Sequence, residues 1–351
     1  MPGAEHPTTV SSPREGQTHM AREIREAPAA VARQAERLAG PLAELSRCLR
    51  ARPPQVVVTC ARGSSGHAAT FGKHLIERRL GIPVAAAAPS IASVYGQPLS
   101  LSGQLFVAVS QSGRSDDLLS LAGAAKKGGA LTVALVNDEE SPLAASSDIV
   151  LPLAAGPEVS VAATKTFVAS LSALAALTAA WAEDGALRDA LARLPERLDA
   201  ATRLDWSGAL DALTPAESLV TIGRGPTLAI AREAALKLKE TCSLHAEAFS
   251  AAEFLHGPVS LVGDDYPIIA FPPTDEAGPG VARAVADLRA KGASVFSTDA
   301  EGGLPGLAPD HPDIDAIALI QSFYVLAEAL AGRRGIDVDR PRHLNKVTRT
   351  R

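Results

Sequence analysis

The chain predicts an α/β fold in which a doubly wound parallel sheet flanked by helices occurs twice. Short β-branched runs alternate with helical stretches, and the runs end in Gly/Ser turns, the pattern of parallel strands joined by crossover helices. A β-turn-α unit also returns: a shift of 162 positions lays Arg62-Gly63 on Arg224-Gly225, each after a β run and before a helix. We read that as an internal duplication.

The elements follow in order. Met20, Ile24, Val31, Leu38, Leu42, Leu45 and Leu49 share one helical face up to about Ala51, with Pro28 and Pro41 expected to break the helix into two or three pieces. Gln55 to Cys60 reads as a strand, followed by Arg62-Gly63-Ser64-Ser65-Gly66 and a helix from His67 to Arg79. Ile82 to Ala88 and Leu105 to Val109 are further strands, and the latter ends in Ser110-Gln111-Ser112-Gly113. A helix from about Asp116 to Lys127 stops at Gly128-Gly129, and strands follow at Ala130 to Val136 and Ile149 to Leu153. Phe167 to Trp181 is apolar but short for a membrane span, so it reads as a buried core helix. Leu187 to Asp205 is a charged helical connector. The second half repeats the rhythm: strands at Ser218 to Ile222, Tyr266 to Phe271 and Ser294 to Ser297, and helices at Leu228 to Glu240, Gly280 to Lys291 and Ala316 to Ala331.

The 351 residues suit two domains, each able to bury its own core. Charged residues are 21% and apolar residues 46%, a globular balance. A net charge of -5 argues against nucleic acid as a partner, though not against a small anion held by backbone N–H groups. Cys48, Cys60 and Cys242 have no metal or disulfide spacing, so the expected compartment is reducing, a cytoplasmic location. The first residues lack an apolar core, so they read as a mobile leader rather than a signal peptide.

Four constellations bear on chemistry. Ser110-Gln111-Ser112-Gly113-Arg114-Ser115 joins a strand to a helix, where free N–H groups and small donors can hold a phosphate; Ser115 is also a candidate N-cap. Ser64-Ser65-Gly66 repeats the device at an earlier strand end. Glu233, Lys237 and Glu240 fall on one helix face, either as a solvated salt-bridged surface or as an acid able to move a proton between neighbouring carbons. His245 reads as a hydrogen-bonded structural histidine, whereas His256, before Gly257-Pro258, is the better acid/base candidate; the spacing of these residues and of Glu247 and Glu253 fits no metal motif. The tail from Asp337 to Thr348 mixes Pro, Leu and Val with its charges, and Lys346, carried into a drier site, would become a useful amine.

The GSS and SQSG turns, EVSVAATKTF, EAALKLKE, HAEAFSAAEFLHGP and the closing DVDRPRHLNKVT resemble the isomerase part of glucosamine-6-phosphate synthase. They resemble more closely its stand-alone relatives, the glucosamine-6-phosphate deaminases of the SIS (sugar isomerase) type. The resemblance runs from about Met20 to the C-terminus. It implies two tandem SIS domains, each a five-stranded parallel sheet, in a homodimer with shared active sites. The implied organisation is a leader (1–19), a helical segment (20–52), a first SIS domain (53–190), a connector (191–210), a second SIS domain (211–336) and a closing tail (337–351). By the same resemblance, Ser64, Ser65, Ser110, Gln111, Ser112 and Ser115 bind phosphate, and Val161 and Ala162 line the sugar pocket. Glu240 moves a proton between C2 and C1, with Glu233 and Lys237 supporting that face. His256, from the partner subunit, assists ring opening, and Lys346 sits near the carbonyl carbon. The implied reaction is glucosamine 6-phosphate to fructose 6-phosphate and ammonia, with no metal or other cofactor and no membrane or nucleic-acid partner.

Departures from the synthase pattern point the same way. Pro2 follows Met1, where the synthase has a cysteine nucleophile, and the first cysteine is Cys48, which reads as the lack of a glutaminase domain. Arg62 replaces a cysteine, Arg114 an acid, and RPRHLNK replaces QPRNLAK. The alternatives are another phosphosugar, such as galactosamine 6-phosphate or a fructosamine-type phosphate, and a non-catalytic sugar-phosphate sensor. The sensor reading sits poorly with two repeated units and an N-terminal segment that is short, Pro-broken and not strongly basic.

Overall fold

The computed structural model describes residues 17–299, 303–344 and 346; residues 1–16 of the expected leader and most of the last stretch of the tail lie outside the described residues. The chain begins with a single 33-residue helix, α1 (His19–Ala51), capped by Thr18, whose hydroxyl accepts the Ala21 N–H at 3.0 Å. Pro28 and Pro41 lie inside it and do not break it, contrary to the expectation from sequence. Pro28 cannot donate to the carbonyl of Ile24, and that carbonyl is taken instead by Gln321 Nε2, fully buried, at 2.6 Å. A tertiary partner therefore replaces the bond that the proline removes. The buried face of α1, which holds every apolar position read from the sequence, keeps the rest of the helix in place.

The first sheet contains β1 (Val57–Cys60), β2 (Val84–Ala86), β3 (Leu105–Ser110), β4 (Leu131–Val136) and β5 (Ile149–Pro152). All pairs are parallel, in the order β2-β1-β3-β4-β5. Helices α2 (Gly63–Leu80), α3 (Ser90–Ser93), α4 (Asp116–Lys127) and α5 (Pro142–Ser146) connect these strands. Every residue of β3 is buried, as a central strand covered on both faces requires. Then come α6 (Lys165–Trp181), nearly all buried, α7 (Gly185–Ala201) and α8 (Leu210–Leu213).

The second sheet is formed by β6 (Ser218–Gly223), β7 (His245–Ser250), β8 (Pro267–Ala270) and β9 (Ser294–Ser297), parallel and in the order β7-β6-β8-β9. Its helices are α9 (Pro226–Cys242), α10 (Ala251–Phe254), α11 (Gly278–Ala290) and α12 (Pro312–Arg333). This order reproduces the first four strands of the first sheet, which supports the duplication. A fifth strand was expected, but four are present among the described residues. The stretch after β9 carries Pro305, Pro309 and Pro312 and no β-branched run, and proline cannot donate to a strand ladder; one isolated bridge, Ser297 to Gly303, marks where pairing stops. The strand β7 escapes the sequence pattern because HAEAFS is an edge strand with His245 and Glu247 exposed. His245, expected to be a hydrogen-bonded structural histidine, is thus an exposed residue of an edge strand.

The two sheets do not bury separate cores. One apolar cluster runs from Met20 to Val338 and joins inward faces of both sheets with α1, α6, α9 and α12, while two smaller clusters cover the outer faces. By length and composition α12 could cross a membrane, but 78% of its apolar window is buried in this shared core. The repeated helices α2 and α9 meet where Arg232 Nη1 lies 3.4 Å from Thr70 Oγ1, two positions that are themselves 162 apart. The pseudo-symmetry axis therefore passes between these helices.

Replacing Gln321 with alanine is expected to cost about 1–3 kcal/mol in urea unfolding, because the Ile24 carbonyl is left buried without a donor. The cost should shrink when Pro28→Ala is added, since an alanine at that position restores a local N–H; the double-mutant cycle measures this coupling.

Candidate active site

In an open parallel sheet the ligand crevice lies at the carboxyl ends of the strands, where the strand order reverses. In the first sheet that point is between β1 and β3. From β1 the chain passes through Ala61 and Arg62 into α2, which puts Ser64 and Ser65 in its first turn. From β3 it runs through Ser110, Gln111, Ser112 and Gly113 to Ser115 at the N-cap position of α4. Both helix starts present unpaired N–H groups and partial positive charge to the crevice. The second turn is shaped internally: Ser110 Oγ accepts the Gly113 N–H at 3.0 Å, and the Gln111 carbonyl accepts the Asn137 N–H at 3.2 Å. Ser115 occupies the cap position, although its hydroxyl makes no capping bond. Gly113 has φ 62°, and a Cβ there would lie 2.2 Å from Ser141 Oγ, so the turn requires glycine. Arg62 joins the two helix starts by donating from Nε and Nη2 to Asp117 Oδ2 at 2.9 and 2.7 Å.

The face of α9 seen in the sequence points inward, not to solvent. The Lys237 side chain is 1% exposed, Glu233 is fully buried and Glu240 is 22% exposed. Lys237 Nζ lies 3.3 Å from Glu233 and donates to Glu240 at 2.5 Å and to Ser64 Oγ at 3.1 Å. One ammonium thus connects the serine turn of the first repeat to an acid of the second. Glu233 also meets His67 Nδ1 of α2 at 2.8 Å and accepts the Tyr324 hydroxyl of α12 at 3.3 Å. Burial alone would push the Glu233 carboxyl up, but Lys237 and then His67 bring it below its ordinary value. Burial would likewise lower the Lys237 ammonium, yet Glu233 and Glu240 hold it above the usual lysine value, so the pair stays ionised. The Tyr324 phenol is driven far up, first by burial and then by the charges of Glu233 and Glu158.

A third segment carries the tail lysine. Lys346 Nζ donates to Glu158 Oε2 at 3.2 Å and to the Ser160 carbonyl at 2.6 Å, which seats the tail lysine beside Val161 and the buried Ala162. Glu158 also accepts the N–H groups of Thr164 and Thr166 at 3.0 and 3.1 Å. The charges of Glu233, Glu158 and Glu240 all add to burial in raising the Tyr324 phenol, and of these Glu233 is its hydrogen-bond partner. His256 stands apart: it is exposed on the turn after α10, between the exposed Leu255 and Leu261.

Both halves carry the family pattern: the SIS domain profile matches residues 53–180 and 212–301. The chain belongs to the SIS domain family. Its sequence is 34% identical over 354 residues to glutamine–fructose-6-phosphate aminotransferase [isomerizing] of Gluconobacter oxydans (strain 621H), covering 93% of this chain and 58% of that protein. The chain therefore spans a little over half the length of that relative. A crystal structure from Silicibacter pomeroyi DSS-3, of a protein provisionally named a phosphosugar isomerase, superposes with a TM-score of 0.88 at 48% identity and covers 92% of this chain and all of that one. Glucosamine-6-phosphate deaminase of Thermotoga maritima shares the fold, with a TM-score of 0.76 at 22% identity over 95% of this chain and 100% of that one.

Within this SIS protein, sequence reasoning named Glu233, Lys237, Glu240 and Ser64, which the structure joins by direct contacts of Lys237, and Lys346, which bonds Glu158 and the Ser160 carbonyl instead. It missed His67, Tyr324 and Glu158. His67 lies one turn beyond Ser64 on the same helix, a spacing that could have marked it. Tyr324 carries no local signal, since an aromatic residue in an apolar helix reads as core.

Lys237→Met is expected to destabilise the protein by about 3–5 kcal/mol, because Glu233 is left charged and buried. The pH dependence should also change sign. In the wild type the contribution of Glu233 is present above 4.5 and lost as pH falls through its depressed folded value; without Lys237 the buried carboxyl prefers its proton, and stability rises on acidification. Urea unfolding between pH 3 and pH 7 reads both effects. Gly113→Ala should cost roughly 1–3 kcal/mol from backbone strain alone, measured the same way.

Proposed function

We propose that this SIS protein converts glucosamine 6-phosphate to fructose 6-phosphate and ammonia. The observation that carries the reading is the single ammonium of Lys237 joining Ser64 in a phosphate-type turn to Glu240 on α9. A second supports it. The shift that lays Arg62 on Arg224 also lays Phe71 and Leu75 on Glu233 and Lys237, and all four are buried. A buried ion pair rarely outperforms an apolar pair for stability, so charges kept where the repeat has Phe and Leu are expected of a site that uses them.

The substrate phosphate binds the turns of Ser64, Ser65, Ser110, Gln111, Ser112 and Ser115, at the starts of α2 and α4. The open-chain sugar extends toward Val161, Ala162 and α9. Glu240 removes the C2 proton while the aldehyde oxygen gains one, which gives an enolamine; the same carboxyl returns a proton to C1, leaving C1 as an alcohol and C2 as an iminium. Water adds to C2, and ammonia leaves with the C2–N electron pair, yielding the ketone. Lys346 can do the same through a transient Schiff base at C2. Glu233 and Lys237 hold the charge and direction of Glu240. His256 has no role within one chain, and its part in ring opening calls for a second copy that brings this turn to the site.

Purified protein is expected to release ammonia and fructose 6-phosphate in equal amounts from glucosamine 6-phosphate, and Glu240→Gln should lower kcat by about 10²–10⁴-fold with little change in KM. A wild-type protein that binds this substrate and releases neither product would sink the reading. Activity on galactosamine 6-phosphate in its place would change the sugar but keep the chemistry.

A further inference from the structure

Glu23 is fully buried on α1, and the chemistry above does not use it. Its carboxylate accepts the N–H of Val159 and, with both oxygens at 3.3 Å, the N–H of Ser160. Those residues lead directly into Val161 and Ala162, and the Ser160 carbonyl is a seat of Lys346. Glu158 holds the same loop from its other side through Thr164 and Thr166. The loop's own buried hydroxyls, on Ser160, Thr164 and Thr166, have no hydrogen-bond partner among the described residues, so its backbone is held by the carboxylates of Glu23 and Glu158 together with Lys165 at the Pro157 carbonyl and Lys346 at the Ser160 carbonyl. Glu23 itself is fixed by α1, whose start is tied to the tail: Asp339 accepts the N–H groups of His19 and Met20 at 2.7 and 3.1 Å.

We propose that Glu23 is a positioning residue for the site: by fixing the backbone of the 158–162 loop it sets the seat of Lys346 and of the sugar, and its ionisation couples that seat to pH. The proposal rests on the function given above. Glu158 and Lys165 are the charged groups that act on Glu23, and the loop and its flanks are also met by Glu26 through Lys165, by Arg33 at the Ala154 carbonyl and by Lys346. Lys165 bonds Glu26 and the Pro157 carbonyl, both at 2.5 Å, and so is already engaged. The Glu23 carboxyl is pushed up to about 7, by burial first and the Glu158 charge second, against the Val159 N–H and Lys165. As pH rises through that value a second negative charge appears beside Glu158. The ionised carboxylate is the stronger acceptor for the Val159 and Ser160 N–H groups, so the backbone that presents the Ser160 carbonyl to Lys346 is held more firmly. Docking of the tail lysine therefore tightens as pH rises through about 7.

The test compares wild type, Glu23→Ala and Glu23→Gln as full chains, with two measurements. Hydrogen exchange, which needs no substrate, should show residues 157–166 exchanging at least about tenfold faster in Glu23→Ala, and near the wild-type rate in Glu23→Gln, whose amide oxygen still accepts the two N–H groups. Steady-state assays with glucosamine 6-phosphate should show kcat/KM reduced by about tenfold or more in Glu23→Ala. In the wild type kcat/KM should rise between pH 6 and pH 8, and this limb should be absent in Glu23→Gln. Wild-type exchange of residues 157–166 in Glu23→Ala, or an unchanged pH limb in Glu23→Gln, would overturn the proposal. If Glu23→Ala does not fold, Glu23→Gln decides through the pH dependence of both measurements. Inactivity of the wild type would strike the proposed reaction alone, since the exchange comparison still judges the role of Glu23.

Discussion

A lysine ammonium almost wholly removed from water must be surrounded by acceptors, and Lys237 has three, drawn from both repeats: Glu233, Glu240 and Ser64. The two halves can satisfy it only when α2 and α9 lie against each other in one register. That constraint runs outward. Glu233, needed to neutralise the lysine, is buried in turn and requires His67 from α2 and Tyr324 from α12. The helix α12 is thereby fixed against α9, and α12 supports α1 through Gln321. The chain of dependence ends at Glu23 and the loop under the tail lysine. The charged centre and the shared apolar core are one arrangement, and neither forms while the halves are apart.

The duplication has been used unequally. At the first crevice α9 brings Glu240 toward the serine turns. At the second, the equivalent position is Arg78 on α2, which pairs with Asp275 at 3.0 Å and with Asp313 at 2.5 Å, while the imidazole of His74 packs against Gly225. Arg79 adds a bond to Asp313 at 2.8 Å. One end of the pseudo-symmetric helix pair carries Glu240 paired with Lys237, and the other carries Arg78 and Arg79 paired with Asp275 and Asp313 beside a cavity of about 650 Å³. The same packing thus places an acid-lysine cluster at one end and an arginine-aspartate cluster at the other.

Local physics wrote much of this into the sequence. Alternating β runs and helices, glycine at the turns and the i, i+4, i+7 face of α9 depend on spacing and side-chain type, which the sequence carries directly. Asp116–Lys127 and Ser294–Ser297 are legible to the residue because a glycine pair or a short β-branched run bounds each. The serine turns, Glu240 and Lys346 are legible for the same reason: they sit beside recognisable strand ends, on a recognisable helix face, or in a patterned tail.

What the sequence could not hold is whatever depends on a distant partner. The two prolines read as breaks until Gln321, 297 positions away from Ile24, supplies the missing donor to the Ile24 carbonyl. The three-residue face of α9 reads equally as a surface or a buried centre until α2 and α12 cover it. Tyr324 and Glu23 give no local signal, because an aromatic residue in an apolar helix and a glutamate in an amphipathic one are ordinary until the carboxylates and N–H groups of other segments come within bonding distance. The sequence by itself determined most of the elements and the candidate side chains; tertiary structure alone decided which charges are buried together, since burial and pairing belong to the packed chain and not to its spacing.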